Sequence, residues 1–171
     1  PNCIACQAGT FSNIAASICI QCSSGKFAGE ASSSCTSCEP GYFSFIGQTT
    51  CTACPNGYYS KLNRAKLCRS CTYGQYSTSA SIKCKLCNSG MYSNELNQSN
   101  CKRCLIGQYA VNDGAIICIQ CPSGYESINN GAEKCKSCVP GRYNNNASSS
   151  SSCQKCEIGQ YAIDSGSIKC N

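Results

Sequence analysis

Histidine and tryptophan are absent from this 171-residue chain, and methionine occurs only once. Without an imidazole there is no group that titrates near neutral pH by default. The eight carboxylates are scattered singly, and no serine lies in a nucleophile context, so acid–base and nucleophilic constellations are missing. The chain reads as a non-enzyme. Large aromatic surface comes only from ten Tyr and four Phe, which is too little for an ordinary core. There is also no signal peptide, purification tag or membrane span. Because the chain begins at Pro1 and stops inside a repeated motif, it reads as an excerpt of a longer protein.

What the chain does contain is cysteine, 21 residues of it, a density that marks a disulfide scaffold. Cys-x-x-Cys is written ten times, at Cys3/Cys6, Cys19/Cys22, Cys35/Cys38, Cys51/Cys54, Cys68/Cys71, Cys84/Cys87, Cys101/Cys104, Cys118/Cys121, Cys135/Cys138 and Cys153/Cys156, and Cys170 opens an eleventh. The period of 16 to 18 residues makes a tandem array. Its modules are expected at 6–21, 22–37, 38–53, 54–70, 71–86, 87–103, 104–120, 121–137, 138–155 and 156–171. Modules this small need covalent staples and neighbours to stack on. Staples persist in oxidising surroundings, so an extracellular or cell-surface location is expected.

Three residues after the second cysteine stands glycine in every module: Gly9, Gly25, Gly41, Gly57, Gly74, Gly90, Gly107, Gly124, Gly141 and Gly159. One register filled ten times points to a backbone position with positive φ. Pro40-Gly41 and Pro140-Gly141 fit the centre of a type II turn, and Asn56-Gly57 is also turn chemistry. Two residues further on comes an aromatic, from Phe11, Phe27 and Phe43 through Tyr59, Tyr76, Tyr92 and Tyr109 to Tyr143 and Tyr161. Only the eighth module departs, with Tyr125 one place early and Glu126 in the slot. So regular a ring is expected to be a packing peg over a disulfide rather than a ligand box. The polar stretch that follows has no helical or strand period. The fold class is therefore a small disulfide-rich repeat array, an elongated rod of irregular modules with short β-hairpin pieces and little or no helix.

Connectivity can be argued from the chain ends. Joining each second cysteine to the next first cysteine gives Cys6–Cys19, Cys22–Cys35, Cys38–Cys51, Cys54–Cys68, Cys71–Cys84, Cys87–Cys101, Cys104–Cys118, Cys121–Cys135, Cys138–Cys153 and Cys156–Cys170, with Cys3 left over. A crossed scheme, such as Cys3–Cys19 with Cys6–Cys22, consumes modules in twos and calls for odd–even alternation, which the sequence does not display. Zinc or iron–sulfur sites of four thiolates also suit this spacing. They too would pair modules, and they lack any histidine partner, so neither a metal nor a cofactor is expected.

The net charge of +6 lies outside the first fifty residues, which carry Lys26 against Glu30 and Glu39. Cations flank first cysteines at Arg69, Lys83, Lys85, Lys102, Lys134, Lys136 and Lys169. They form either a basic stripe for an anionic glycan or simply a solvated face. The loops are Ser/Asn-rich, so no nucleic acid is expected as partner, nor membrane contact within this segment. Two sequons, Asn97-Gln-Ser99 and Asn146-Ala-Ser148, fall where an exposed loop tip is expected, which makes Asn97 and Asn146 candidate glycosylation sites. Ser148 to Ser152 offers further hydroxyls for O-linked sugar.

The string Cys51-Thr-Ala-Cys54-Pro-Asn-Gly57-Tyr-Tyr59-Ser60 resembles the ephrin-receptor-like cysteine-rich repeat, and also the first half of a tumour-necrosis-factor-receptor cysteine-rich domain. That resemblance implies a sequential Cys–Cys loop with a Gly-x-Tyr turn, in receptor ectodomains, matrix-like proteins or protist surface proteins. The Asn/Ser/Ile/Lys-rich, proline-poor composition is similar to the protist, ciliate-like versions. Two functions follow as expectations. One is a glycosylated, disulfide-stapled structural rod in a fibre, ciliary appendage or surface coat, associating with neighbouring copies of itself. The other is a ligand-binding or adhesive ectodomain stalk, for which Glu126 and the long Asn144–Ser152 loop are the divergent features.

Overall fold

The computed structural model describes residues 4–145 and 152–171. Cys3, Asn146 and Ser148 lie outside the described residues. Among those described there is no helix, and eighteen two-residue strands form nine antiparallel hairpins. The first strand of a hairpin carries the residue before the aromatic and the aromatic itself. The second carries the two residues between paired cysteines. Thus Thr10 opposes Gln21 and Phe11 opposes Ile20, and the same register puts Tyr59 opposite Arg69 and Tyr109 opposite Ile119. Cys-x-x-Cys is extended because its two central residues are claimed by this ladder.

Each hairpin begins in the turn that the glycine permits. The Tyr42 N–H donates to the Glu39 carbonyl at 3.1 Å across Pro40-Gly41, and Gly41 has φ of 86°, the geometry of a type II turn. Each loop is closed by one disulfide, from Cys6–Cys19 to Cys156–Cys170, and modules are numbered 1 to 10 by these bridges. Every second cysteine is joined to the next first cysteine, and the Cα–Cα distances run from 5.5 to 5.8 Å.

The chain divides into two compact units. One comprises Pro1–Thr72 with Tyr76–Lys85 and Leu96–Ser99, and the other comprises Tyr73–Gln75 with Leu86–Glu95 and Asn100–Asn171. Inside the first unit three backbone hydrogen bonds recur from each module to the next. The turn glycine donates to the residue after the next aromatic, as Gly25 does to Ser44 at 2.8 Å. Ser44 in turn donates to Ala65 at 3.2 Å, and Arg64 donates back to Cys38 at 3.0 Å. The second unit repeats the set: Gly90 to Ala110 at 2.8 Å, Ala110 to Ala132 at 3.1 Å and Gly131 to Cys104 at 2.7 Å.

Contacts also reach the module after next. A Cβ on Gly57 of module 4 would run into the carbonyl of Asn97 of module 6, and one on Gly90 of module 6 into the carbonyl of Gly131 of module 8. Among the described residues the approaching one stands four places before a first cysteine and has positive φ: Gly47, Arg64, Ala80, Asn97, Gly114, Gly131 and Gly166. This left-handed turn is the second fixed point of the module.

The core is narrower than the aromatic register implies. It consists of the second cysteines other than Cys156, with Cys22, Cys54, Cys71, Cys87, Cys104 and Cys138 wholly enclosed, and of the residue after most aromatics, such as Ala28, Ser44, Ser77 and Ala110. The rings themselves are half-buried, and Tyr161 is exposed, so they cover the core from its rim instead of filling it. The buried serines are satisfied: the Ser44 hydroxyl donates to the Lys26 carbonyl and the Ser77 hydroxyl to the Tyr58 carbonyl, both at 2.9 Å. All 21 Ile, Leu and Val are exposed, none below 46 %.

Candidate functional site

Twenty cysteines are bound in disulfides, which leaves no free thiolate among the described residues. No group of three or more His, Cys, Asp or Glu among them is arranged to hold a metal ion. No helix of the described residues is long and apolar enough to cross a membrane.

Asn97 has an exposed side chain on the left-handed turn, while its N–H is held by the Cys71 carbonyl at 3.1 Å. The sequon therefore sits on a fixed backbone with its amide side chain outward. Its companion Asn146 lies outside the described residues. Glu126, which replaces the aromatic of module 8, has a structural partner: its carboxylate accepts the Cys153 N–H at 2.7 Å. The Arg142 guanidinium donates to the Cys153 carbonyl at 2.9 Å, so both backbone polar groups of Cys153 are fixed by charged side chains. The divergence of module 8 thereby anchors the first cysteine of the next bridge.

The cations beside the first cysteines are exposed. One of them is neutralised, since the Lys102 ammonium donates to Glu95 at 2.7 Å, and that hydrogen bond raises the Lys102 pKa above its ordinary value. A denser group lies on the loop of module 4, in a shallow bowl of about 400 Å³. Tyr59, Leu62 and Leu67 supply its apolar lining, and Lys61, Arg64, Lys66 and Arg69 its charge. No carboxylate lines it, and the Arg64 side chain is steadied by a 2.9 Å hydrogen bond from its Nε to the Ser37 hydroxyl. Module 8 builds a bowl of similar size, about 360 Å³, at the same place in its loop. There Glu126 and Glu133 balance Lys134 and Lys136.

The sequence pattern identified the cations flanking cysteines but not this bowl. Lys61, Arg64 and Lys66 lie in the variable loop, and only the folded hairpin brings them around the ring of Tyr59. The signal available was local: four cations in the nine residues 61–69, with no acid in the whole of module 4.

Comparison with known families adds one match. Residues 74–116 match the family described as tyrosine-protein kinase ephrin type A/B receptor-like. That stretch is 43 of the 171 residues and holds two consecutive Cys-x-x-Cys pairs, Cys84/Cys87 and Cys101/Cys104. No curated protein matches the chain. The ephrin-receptor-like match and the regular array of ten disulfides establish a cysteine-rich repeat array. Together they point to a non-enzymatic, disulfide-rich domain that is extracellular or at a cell surface.

Proposed function

We propose that this array is a structural element of an extracellular assembly, a rod that forms part of a fibre, ciliary appendage or surface coat and packs against neighbouring copies of itself. The observation that carries this reading is the repeated backbone linkage, in which each module bonds the next and touches the one after it. Identical linkages between equal modules favour a stiff array of constant rise and rotation. Glycosylation at Asn97 and Asn146 belongs to the same reading, because sugar on loop tips keeps a surface solvated. Small-angle scattering on the 171-residue segment tests it. The expected radius of gyration lies well above the about 15 Å of a compact domain of this length. A value near that figure removes the rod. Electron microscopy of native material should place the protein in filaments or a coat, and N-glycosidase treatment should convert Asn97 to Asp.

A second reading, an adhesive ectodomain stalk, is favoured by one observation. Every large aliphatic side chain is exposed, more than solubility calls for, and exposed apolar surface commonly marks a contact site. Isolated membrane-anchored particles without filaments in the same micrographs would support the stalk over the fibre.

A further inference from the structure

We propose that the bowl on module 4 is a binding site for a sulfated polysaccharide. The inference needs only an extracellular location and is independent of whether the array is a rod. It begins from charge. Lys61, Arg64, Lys66 and Arg69 surround one opening, and none of them takes part in an ion pair among the described residues. Four unneutralised cations around a cavity attract an anion strongly even when each alone is screened within about 8 Å at physiological salt.

The apolar part of the bowl selects among anions. Tyr59 is half-buried, and Leu62 and Leu67 are each 63 % exposed, so the lining offers an aromatic ring and two aliphatic side chains to solvent. Such a surface suits the C–H face of a pyranose ring. Sulfate esters at the rim of that sugar stay ionised at every physiological pH, and the planar guanidinium groups of Arg64 and Arg69 match their oxygens in pairs. The bowl is only partly enclosed, so a segment of a longer chain can lie in it with its ends in solvent.

The bowl is also preorganised. Arg64 occupies the left-handed turn with φ of 61°, where modules 3, 7, 8 and 10 carry glycine. Its backbone is pinned to the Cys38 carbonyl and its side chain to Ser37. Modules 1, 2, 5 and 6 hold this turn with alanine or asparagine, so what is particular to module 4 is the long cationic side chain fixed there by both bonds. Module 8 supplies an internal control, because its bowl has the same position and size but equal numbers of acids and bases among its lining residues.

The test uses the intact segment and three probes: a heparin-derived decasaccharide, the same oligosaccharide after desulfation and N-acetylation, and polyglutamate of matched charge. Calorimetry at 100 mM NaCl should detect the sulfated probe, with affinity falling at least tenfold on desulfation. The double variant Arg64→Gly with Arg69→Ser should lose at least tenfold, while Lys134→Ser with Lys136→Ser in the control bowl should stay within twofold. Arg64→Gly alone suits the backbone at that turn, so its smaller loss reads the site without a folding defect. Amide shift mapping on the unaltered protein should move Tyr59, Leu62 and Leu67 and spare Ile128 and Asn129. Equal losses from both double variants would show diffuse attraction to a basic surface. Polyglutamate binding as tightly as the sulfated probe would make the ligand an acidic peptide. No binding even at 50 mM NaCl would remove the site. Each of these three results overturns the proposal.

Discussion

Gly57 meets two constraints at once, and they are separable. Its φ of 80° disfavours any side chain, and the carbonyl of Asn97 occupies the space where a Cβ would go. Gly141 shares the dihedral, at 78°, but nothing lies within 4 Å of its would-be Cβ. Gly57→Ala should therefore lower the unfolding free energy by about 3 kcal/mol or more, as backbone must move, whereas Gly141→Ala should lose only about 1 kcal/mol for the strained dihedral. Urea titration of both variants reads the difference. Equal losses would mean that the dihedral alone fixes this register and that the contact two modules along contributes nothing. The turn glycine was legible in the sequence because ten modules repeat it. The left-handed turn that it receives was not, because Ala15, Ala31, Arg64, Ala80 and Asn97 hide a register where only Gly47, Gly114, Gly131 and Gly166 show the expected residue.

At the scale of the element, spacing located the hairpin and its loop, while the sequential bridge was favoured over a crossed one by the lack of alternation between modules. Two cysteines flanking two extended residues can each reach a different loop, and the structure assigns the second of every pair to the loop that follows. Proteolysis without reduction should therefore yield Cys54–Cys68 and Cys121–Cys135 as separate linked peptides by mass spectrometry. Recovery of Cys51–Cys68 or Cys54–Cys71 would contradict the sequential arrangement. What spacing did not reveal is the effect of a single inserted residue. In modules 4, 6 and 8, closed by bridges of separation 14, the buried serine hydroxyl donates within its own loop, as Ser60 does to Leu62 at 3.1 Å and Ser93 to Glu95 at 3.2 Å. In modules 3 and 5, of separation 13, the carbonyl two places on is lost to this role, and the hydroxyl turns back to the preceding module. The aromatic register was equally visible, but its depth was not. A ring on a two-residue strand has one face on the core and the other toward solvent, so half-burial is the geometric limit for a module this thin.

For the molecule as a whole, the consequence of linking each module to the next two is that damage should spread a fixed distance and stop. Removing the bridge of module 5 by Cys71→Ala with Cys84→Ala costs roughly 3 kcal/mol in the chain-entropy model. Within the first unit, Gly57 of module 4 donates to Ser77 of module 5, and Gly41 of module 3 lies under Ala80 of module 5. Gly9 and Gly25 have their partners and cover in modules 2 to 4. Hydrogen exchange should accordingly accelerate most at the Gly57 amide, by about a hundredfold if local opening reports the whole loss. It should accelerate less at Gly41, whose own hydrogen bond to Ser60 survives at 2.8 Å in the intact neighbour. Gly9 and Gly25 should stay close to their original rates. A uniform acceleration across all four amides would mean that the unit opens as a single cooperative body, and an effect confined to module 5 would mean that the bonds between modules carry no energy. The graded pattern alone is what coupling to the next module and the one after it requires.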